Sequence, residues 1–202
     1  DKKGSPMKKY EEEHYRWKNI REDIYPWIKE SLVDHQALNG KYISDKDTPL
    51  ISFVGDLMIV FVIRREGGTY EILKDNMLPP ESDMEQIYHI ACENLVRDVE
   101  FVISHTWYGG FGIVADGIHE ASSLCFKHIW NVCAEKLGDD IAIMAPSKDM
   151  VLFVPAKDET LVEKMRAFGE EAFARSRDKI SRDVFIYTKD GKELLLYGKS
   201  GY

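Results

Sequence analysis

Residues that could carry out chemistry are concentrated between positions 105 and 122. His105 and His119 bracket a glycine-rich run, and Asp116 lies between them. A carboxylate beside an imidazole is a pair that a hydrolase or transferase uses to move protons and activate a nucleophile. If this chain is an enzyme, we expect His105, Asp116 and His119 to meet in one concave pocket.

The spacing of reactive residues gives this catalytic hypothesis little support. The chain has no GxSxG elbow, and Ser122-Ser123 fall inside a predicted helix, without a base beside them. Its six histidines form no HExxH or other tight ligand spacing. We therefore predict no metal ion and no cofactor, and we expect the histidines to lie on the surface or to hydrogen-bond within the core.

The glycine-rich run is YGGFG at 108–112, which follows a predicted strand as a phosphate-binding loop would. It lacks the Lys-Ser/Thr of a P-loop and the spacing of a dinucleotide-binding motif. Two aromatic residues flank the glycines, and no Lys or Arg is near. This pattern favours a turn between two strands.

Composition and charge limit the classes of partner. The chain has 202 residues, 44% of them hydrophobic, which is typical of a globular domain. Its 35 acidic and 27 basic residues give a net charge of −8. Because such a surface repels phosphate groups, we exclude nucleic acid and anionic membranes as general partners, while a basic protein stays possible. No apolar run approaches the roughly 18 residues that a membrane-spanning helix needs.

The start of the chain is interpreted in two parts. Residues 1–6 are interpreted as a cloning remnant before Met7. Residues 7–23 are predicted to form an amphipathic helix, which ends before Tyr25-Pro26 because the residue preceding proline is pushed out of the helical region. Aromatic residues follow its apolar face and the segment after it, and this face either caps the core or docks on another chain. The candidates for partner binding are Tyr10, Trp17 and Trp27.

The cysteines indicate a reducing environment. Cys92, Cys125 and Cys133 make an odd number without a CxxC pair. We expect reduced thiols and a cytoplasmic location. Cys125 and Cys133 are predicted to lie on one helix, about 12 Å apart and so too far for a disulfide.

Residues 24–202 are predicted to form a single α+β domain, with three to four helices packed on a mixed, mainly antiparallel sheet. The strands occur in hairpin-connected groups, and the middle strand at 57–64 is apolar almost throughout, which predicts burial of both its faces. Residues 34–48 are predicted to form a loop. Helices are predicted from a capping box at Ser82–Glu85 to about residue 97, at 118–136 before Gly138, and at 159–176. Further strands are predicted at 24–32, 50–54, 69–73, 99–107, 113–115, 141–145, 150–154, 183–188 and 194–197.

A basic cluster follows the last predicted helix. Arg175, Arg177, Lys179 and Arg182 lie between that helix and the final hairpin. They are interpreted as a solvated helix end that favours positive charge, with an anionic ligand or an acidic partner surface as the alternative.

Several short motifs occur in a recognisable order between residue 24 and about residue 155. They are Ile24–Ile28, Thr48–Ile51, Thr69-Tyr70 to Asn76-Met77, Ala91–Leu95, Asp116-Gly117 with Ala121-Ser122, and Pro146–Asp149. Their order is similar to the bacterial YtpQ-like family of domains of unknown function, whereas the rest of the chain resembles this family less closely. This chain has Ser147 where the family often has histidine. The resemblance implies a bacterial, cytoplasmic protein without an established activity.

Two classes of function remain open. The first is a non-enzymatic protein that binds another protein, such as an antitoxin or immunity-type inhibitor of a basic toxin, since opposite charge would speed association. The second is a hydrolase or transferase with a site near residues 105–122. Assembly into a homo-oligomer through the N-terminal helix is a further hypothesis, and the oligomeric state is not predicted.

Overall fold

The computed structural model describes residues 16–30, 37–38, 41–42 and 47–197 of the chain. Its strands form a four-stranded sheet, a six-stranded sheet and a two-stranded ladder. The predicted α+β class, with antiparallel pairing and helices on the sheets, is confirmed. The described residues divide into two compact units, the second of which holds residues 28–30, 52–58 and 99–197. No described helix is both long and apolar enough to cross a bilayer.

The four-stranded sheet has the order β1-β5-β4, and β6 also pairs with β5. Strand β5 is buried along its length except at Arg64, because both its faces carry apolar side chains. The predicted burial of both faces of this strand is confirmed. The elements up to residue 98 are helix α1 (Trp17–Ile20), β1 (Ile24–Glu30), β2 (Ala37–Leu38), β3 (Lys41–Tyr42), β4 (Leu50–Ser52), β5 (Leu57–Arg64), a 3₁₀ helix (Glu66–Gly68), β6 (Tyr70–Ile72), a 3₁₀ helix (Asp75–Met77) and helix α2 (Met84–Asp98).

Two predictions for the N-terminal part need revision. Residues 7–15 lie outside the described residues, and within 16–23 only Trp17–Ile20 are helical, since Arg16 is extended with ψ 136°. The predicted loop at 34–48 contains strands β2 and β3, which pair antiparallel through Ala37 and Tyr42. They are separated by Asn39-Gly40, a common hairpin sequence that the loop prediction overlooked.

Helix α2 begins differently from the predicted capping box. The Asp83 carboxylate accepts a hydrogen bond from the backbone N–H of Glu85 at 3.0 Å, whereas the hydroxyl of Ser82 donates to the carbonyl of Pro79. The box prediction was therefore wrong by one residue. Aspartate is as good an N-cap as serine, and only the local backbone decides which of the two reaches the free N–H groups.

The other end of α2 is tied to the start of β1 by polar side chains. The amide of Asn94 donates to the carbonyls of Arg21 and Ile24 at 2.8 and 3.0 Å, and Arg97 donates to the carbonyl of Glu22 at 2.7 Å. Asn94 is 6% exposed, so these bonds satisfy backbone groups that water does not reach.

A second polar contact joins the same elements through Asp98. Its carboxylate accepts hydrogen bonds from the hydroxyl of Tyr25 and from the guanidinium of Arg97, and it forms an ion pair with Arg64 at 3.5 Å. Burial, followed by the hydrogen bond to Asp98, raises the pKa of Tyr25 well above its ordinary value, so the phenol stays protonated. Asp98 therefore links helix α2 to strands β1 and β5 within the first unit.

The six-stranded sheet has the order β12-β11-β9-β10-β8-β7. Each neighbouring pair in it is antiparallel. The predicted hairpins at 141–154 and around Asp190-Gly191 are confirmed. The remaining elements are β7 (Val102–His105), β8 (Phe111–Val114), a 3₁₀ helix (Glu120–Cys125), α3 (Lys127–Leu137), β9 (Ile141–Ser147), β10 (Met150–Pro155), α4 (Glu159–Arg175), β11 (Phe185–Tyr187) and β12 (Leu194–Leu196).

Helices cover both faces of this sheet. Met144 and Leu152 belong to the core that helix α4 covers through Met165. Because strand side chains alternate between faces, Phe153 points to the opposite face, where the indole ring of Trp130 meets it edge-on at 5.4 Å. Strand β9 is therefore buried along its whole length.

The predicted single helix at 118–136 is wrong. Phe126 is extended, with φ −109° and ψ 91°, and it separates the 3₁₀ helix from α3. Cys125 and Cys133 thus lie on different helices. Burial raises the pKa of Cys133 to about 11, so its thiol is protonated and unreactive at neutral pH. The predicted end is confirmed, because Gly138 caps α3 in the left-handed conformation with φ 65°.

Candidate functional site

Asp116 and His119 form a hydrogen-bonded pair in the loop after β8. Asp116 Oδ2 and His119 Nδ1 are 2.7 Å apart. The other carboxylate oxygen, Oδ1, accepts the backbone N–H groups of Ile118 and His119 at 3.0 and 2.9 Å. The aspartate therefore organises the loop and orients the imidazole at the same time.

Two opposing effects act on the pKa of Asp116. Its partial burial raises the pKa, whereas the hydrogen bonds from the His119 ring and from two backbone N–H groups lower it, and the lowering is larger. The carboxylate is therefore ionised at neutral pH. An ionised aspartate that orients a histidine is the arrangement a general base requires.

Glu120 gives the same loop a second buried carboxyl group. It is 4% exposed, and its Oε2 accepts the N–H groups of Gly117 at 3.0 Å and of Ala115 at 3.3 Å. Its Oε1 and the hydroxyl of Ser123 have no hydrogen-bond partner among the described residues. Buried oxygens of this kind usually bind ordered water.

His105 does not join the pair. It lies at the end of β7 opposite Phe111 of β8, whereas Val102 lies opposite Val114. Phe111 and Val114 are three residues apart, so a rise of about 3.3 Å per residue separates them by about 10 Å along the strand. Asp116 lies beyond Val114. His105 is exposed, and its ring packs on Phe111 with centroids 5.2 Å apart.

Burial restricts what the Asp116–His119 pair can do. The side chain of His119 is 0% exposed, so a substrate cannot contact the imidazole without movement of the loop. The described residues contain no group of three or more His, Cys, Asp or Glu that could hold a metal ion. Asp116, His119 and Glu120 therefore act in this conformation as the polar centre of a folded loop.

We expect the Asp116→Ala substitution to lower the free energy of unfolding by about 1–2 kcal/mol, because two backbone N–H groups and a buried imidazole lose their acceptor. Urea titration followed by circular dichroism measures the loss. The control is Asp190→Ala at an exposed turn, which should change stability by less than about 0.5 kcal/mol. An unchanged free energy of unfolding in Asp116→Ala would contradict the structural role.

A surface of exposed apolar side chains lies on the β7–β8 hairpin. Trp107, at the turn, is 82% exposed, and Val102, Ile103 and Val114 are 50%, 41% and 48% exposed. Val102 and Val114 are directly paired across the two strands, so they lie on the same face. Ile103 follows Val102 and therefore lies on the other face of β7, which is exposed on both faces. We call these four exposed residues, on both faces and at the turn of the hairpin, the hairpin surface.

Residues 108–110 of the glycine-rich run lie in the turn between β7 and β8, as predicted, whereas Phe111 and Gly112 are already part of β8. Thr106 closes the turn by accepting the N–H of Gly110 on its hydroxyl at 2.8 Å. A Cβ at Gly110 would lie 2.7 Å from the ring of Tyr108, so only glycine fits there. The same turn leaves the indole of Trp107 outside, where it touches Phe168 of α4 at a centroid distance of 6.4 Å.

The aromatic candidates for partner binding lie elsewhere. Tyr10 is outside the described residues, and Trp17 is half-buried. Trp27 is 6% exposed, and its ring packs on Tyr70 at 5.2 Å, so it belongs to the core. Sequence reasoning missed Trp107, although a strand without Lys or Pro beside an aromatic turn was a visible signal.

The hairpin surface lies in an acidic part of the chain. No Lys or Arg occurs between Arg97 and Lys127, whereas this stretch contains the four carboxylates Asp98, Glu100, Asp116 and Glu120. The segment that carries the hairpin therefore has no cationic side chain of its own to repel a positively charged group.

Comparisons with protein-family models, with curated proteins and with solved structures found no match to this chain. The resemblance to the YtpQ-like family stays a prediction. The functional argument consequently rests on the geometry of the chain itself.

Proposed function

We propose that the protein acts by binding an extended, basic segment of another protein along strand β7. The observation that carries the proposal is the hairpin surface, in which Trp107 is 82% exposed and the paired Val102 and Val114 are each about half exposed. Exposed apolar side chains that are concentrated on one element mark interaction sites more often than side chains scattered singly over the surface do.

Strand β7 supports the mode of binding. It is the last strand of the six-stranded sheet within the described residues, and it is exposed on both faces. Natural edge strands usually carry Lys, Pro or a bulge that blocks pairing with other chains. The sequence VISH of β7 contains neither Lys nor Pro. An added strand would satisfy its outer backbone groups, and side chains of that strand would contact Val102 and Ile103.

Charge supports the basic character of the partner. The chain has a net charge of −8, and the stretch that carries the hairpin has no Lys or Arg. Opposite charge steers association and raises its rate, most strongly at low ionic strength. An inhibitor of a basic toxin is one protein of this class.

The Ile103→Lys substitution tests the proposal, because a lysine on an edge strand opposes the addition of another strand. The immobilised protein should retain partner proteins from a lysate of its source at low salt, and the substitution should reduce that retention about tenfold. Val132→Lys is the matched control, since Val132 is 48% exposed and belongs to helix α3 rather than to the hairpin. In the complex, amide hydrogen exchange should slow at residues 102–105.

Two results would overturn the proposal. One is that no protein is retained at low salt. The other is that the same proteins are retained by the native chain and by Ile103→Lys, without slower exchange at residues 102–105, which would place the contact elsewhere.

The alternative function, a hydrolase or transferase with a site near residues 105–122, is favoured by one observation, the hydrogen bond between Asp116 and His119. The burial of His119 and its separation from His105 weigh against it, because a general base must reach the proton that it abstracts. We therefore rank protein binding first.

A further inference from the structure

A cavity of about 330 Å³ lies in the second unit, between the β9–β10 turn and the last turns of helix α4. Its size is at the lower end of the range for ligand pockets, about 300–1,000 Å³. The lining combines an apolar part with charged side chains. The residues that matter for its chemistry are Ser147, Asp149, Met150, Phe168, Glu171 and Arg175.

The apolar part of the cavity suits an aliphatic chain. Met150 and Phe168 are half-buried, and both contribute to the lining. Phe168 also packs against the ring of Tyr108 at 5.7 Å, so its position is set by the core. Methylene groups placed here would lose contact with water at little cost in side-chain adjustment.

The charged part of the cavity offers one carboxylate without a cation. Asp149 is exposed to the cavity, and its Oδ1 accepts the hydroxyl of Ser147 at 2.6 Å. Ser147 is 3% exposed and part of β9, so it holds the carboxylate in place. Among the described residues, Asp149 has no cationic side chain as an ion-pair partner.

The neighbouring cations already have acceptors. Arg175 pairs with Glu171 one helical turn away, and Lys148 pairs with Asp178 at 3.5 Å. Lys179 donates to the backbone carbonyl of Ser176 at 2.6 Å, just after the end of helix α4. Arg175 and Lys179 of the predicted basic cluster thus have acceptors at the end of helix α4. Asp149 is the carboxylate of the cavity that has no cationic partner among the described residues.

We infer that this cavity binds the side chain of a lysine or arginine supplied by a partner protein, with its methylene groups on Met150 and Phe168 and its cation on Asp149. The inference goes beyond the proposed function, since it concerns a different surface and names the group that is recognised. It does not depend on strand addition at β7, although both surfaces favour a basic partner.

The test is a titration of the full chain with small probes, followed by two-dimensional ¹H–¹⁵N NMR. N-acetyl-lysine amide and N-acetyl-arginine amide should shift the amide signals of residues 147–150 and 168–176 in a saturable way. N-acetyl-norleucine amide has the apolar chain without the charge, and N-acetyl-glutamate amide has the opposite charge, so neither should saturate.

Two substitutions are expected to change the dissociation constant of the lysine probe in opposite directions. Asp149→Asn keeps a hydrogen-bond acceptor for Ser147 but removes the charge, and it should raise the dissociation constant for the lysine probe about tenfold. Arg175→Gln should lower that constant about twofold to threefold, because it removes a competing cation and releases Glu171. Asp190→Asn, at an exposed turn, is the matched control and should leave the constant unchanged.

Equal binding of the norleucine probe would reduce the cavity to an apolar pocket and overturn the inference. Tighter binding of the glutamate probe, abolished by Arg175→Gln, would assign the cavity to anions and also overturn it. The absence of saturable shifts with any probe would do the same. Because these measurements need no partner protein, their failure is distinguishable from failure of the proposed strand addition.

Discussion

Replacing Trp130 by alanine should lower the free energy of unfolding by about 4 kcal/mol, the largest effect that we expect from a single substitution. The side chain is 1% exposed, and its indole packs edge-on against Phe153 of the central hairpin. Its N–H donates to the carbonyl of Ser123 at 3.0 Å, which ties the 3₁₀ helix to α3. The alanine variant therefore loses a large buried ring and leaves that carbonyl without its donor.

Trp130→Phe separates the two contributions. Phenylalanine keeps most of the apolar contact with Phe153 but cannot donate to Ser123, so its cost should be about 1–2 kcal/mol. Urea titrations followed by far-ultraviolet circular dichroism measure both variants. Equal losses for alanine and phenylalanine would show that the hydrogen bond carries the stability, and a loss below about 1 kcal/mol for alanine would contradict the packing described here.

The second large effect is expected at Asp98 in the first unit. Asp98→Asn should lower the free energy of unfolding by about 2 kcal/mol at neutral pH, since hydrogen bonds to a charged group contribute about 1.5–3 kcal/mol. The carboxylate accepts two hydrogen bonds from Arg97 at 2.6 and 2.8 Å and another from Tyr25. Asp75→Asn, an exposed aspartate of the same unit, is the control.

The loss at Asp98 should depend on pH in a defined direction. The hydrogen bonds from Arg97, aided by Tyr25 and by the charges of Arg97 and Arg64, lower the pKa of Asp98 to about 2 against partial burial. The folded chain thus binds this proton less tightly than the unfolded chain, whose aspartate has a pKa of about 3.9. The stabilisation is complete above about pH 5 and is lost as the pH falls through about 4 towards 2.

Urea titrations at pH 7, 4 and 2.5 compare the native chain with Asp98→Asn. The difference between them should shrink as the pH falls, because the protonated carboxyl group resembles the amide. A difference that stays constant over this range would contradict the assignment of the stabilisation to the ionised carboxylate.

Local patterns were enough to predict much of the sheet structure. The apolar run of β5 predicted a strand buried on both faces, and Asp190-Gly191 predicted the hairpin between β11 and β12. Gly138 marked the end of α3, where the left-handed conformation favours glycine. Each of these features depends on residues within a few positions of one another, so the sequence carries it directly.

The errors arose where a non-local contact competes with a local pattern. The apolar period through 118–136 predicted one helix, yet Phe126 leaves the helix, and its ring packs on Phe101 at 5.6 Å. The spacing of apolar residues indicates a helix but carries no information about a break that a contact with another element causes. The choice of Asp83 over Ser82 as the cap of α2 is a local ambiguity instead, because both residues suit the position.

In the candidate site, too, the sequence supplied the residues and the pairing of the strands decided which of them meet. His105, Asp116 and His119 are close in sequence, but the β7–β8 register places His105 away from the pair. Solvent exposure decided which tryptophan could bind a partner: Trp107 is exposed and Trp27 is buried, although both lie in apolar segments. Nothing within either segment distinguishes the two, since burial depends on which distant element packs against each ring: Tyr70 of β6 packs on Trp27, whereas Trp107 lies in the turn between β7 and β8.

The sequence by itself therefore determined the class of the fold, its acidic charge and most of its turns, because these depend on composition and on backbone preferences over a few residues. The tertiary structure alone decided which imidazole is buried beside a carboxylate, which strand ends the larger sheet and which carboxylate faces a cavity. These properties are set by pairings between distant segments, and no local pattern of residues encodes them.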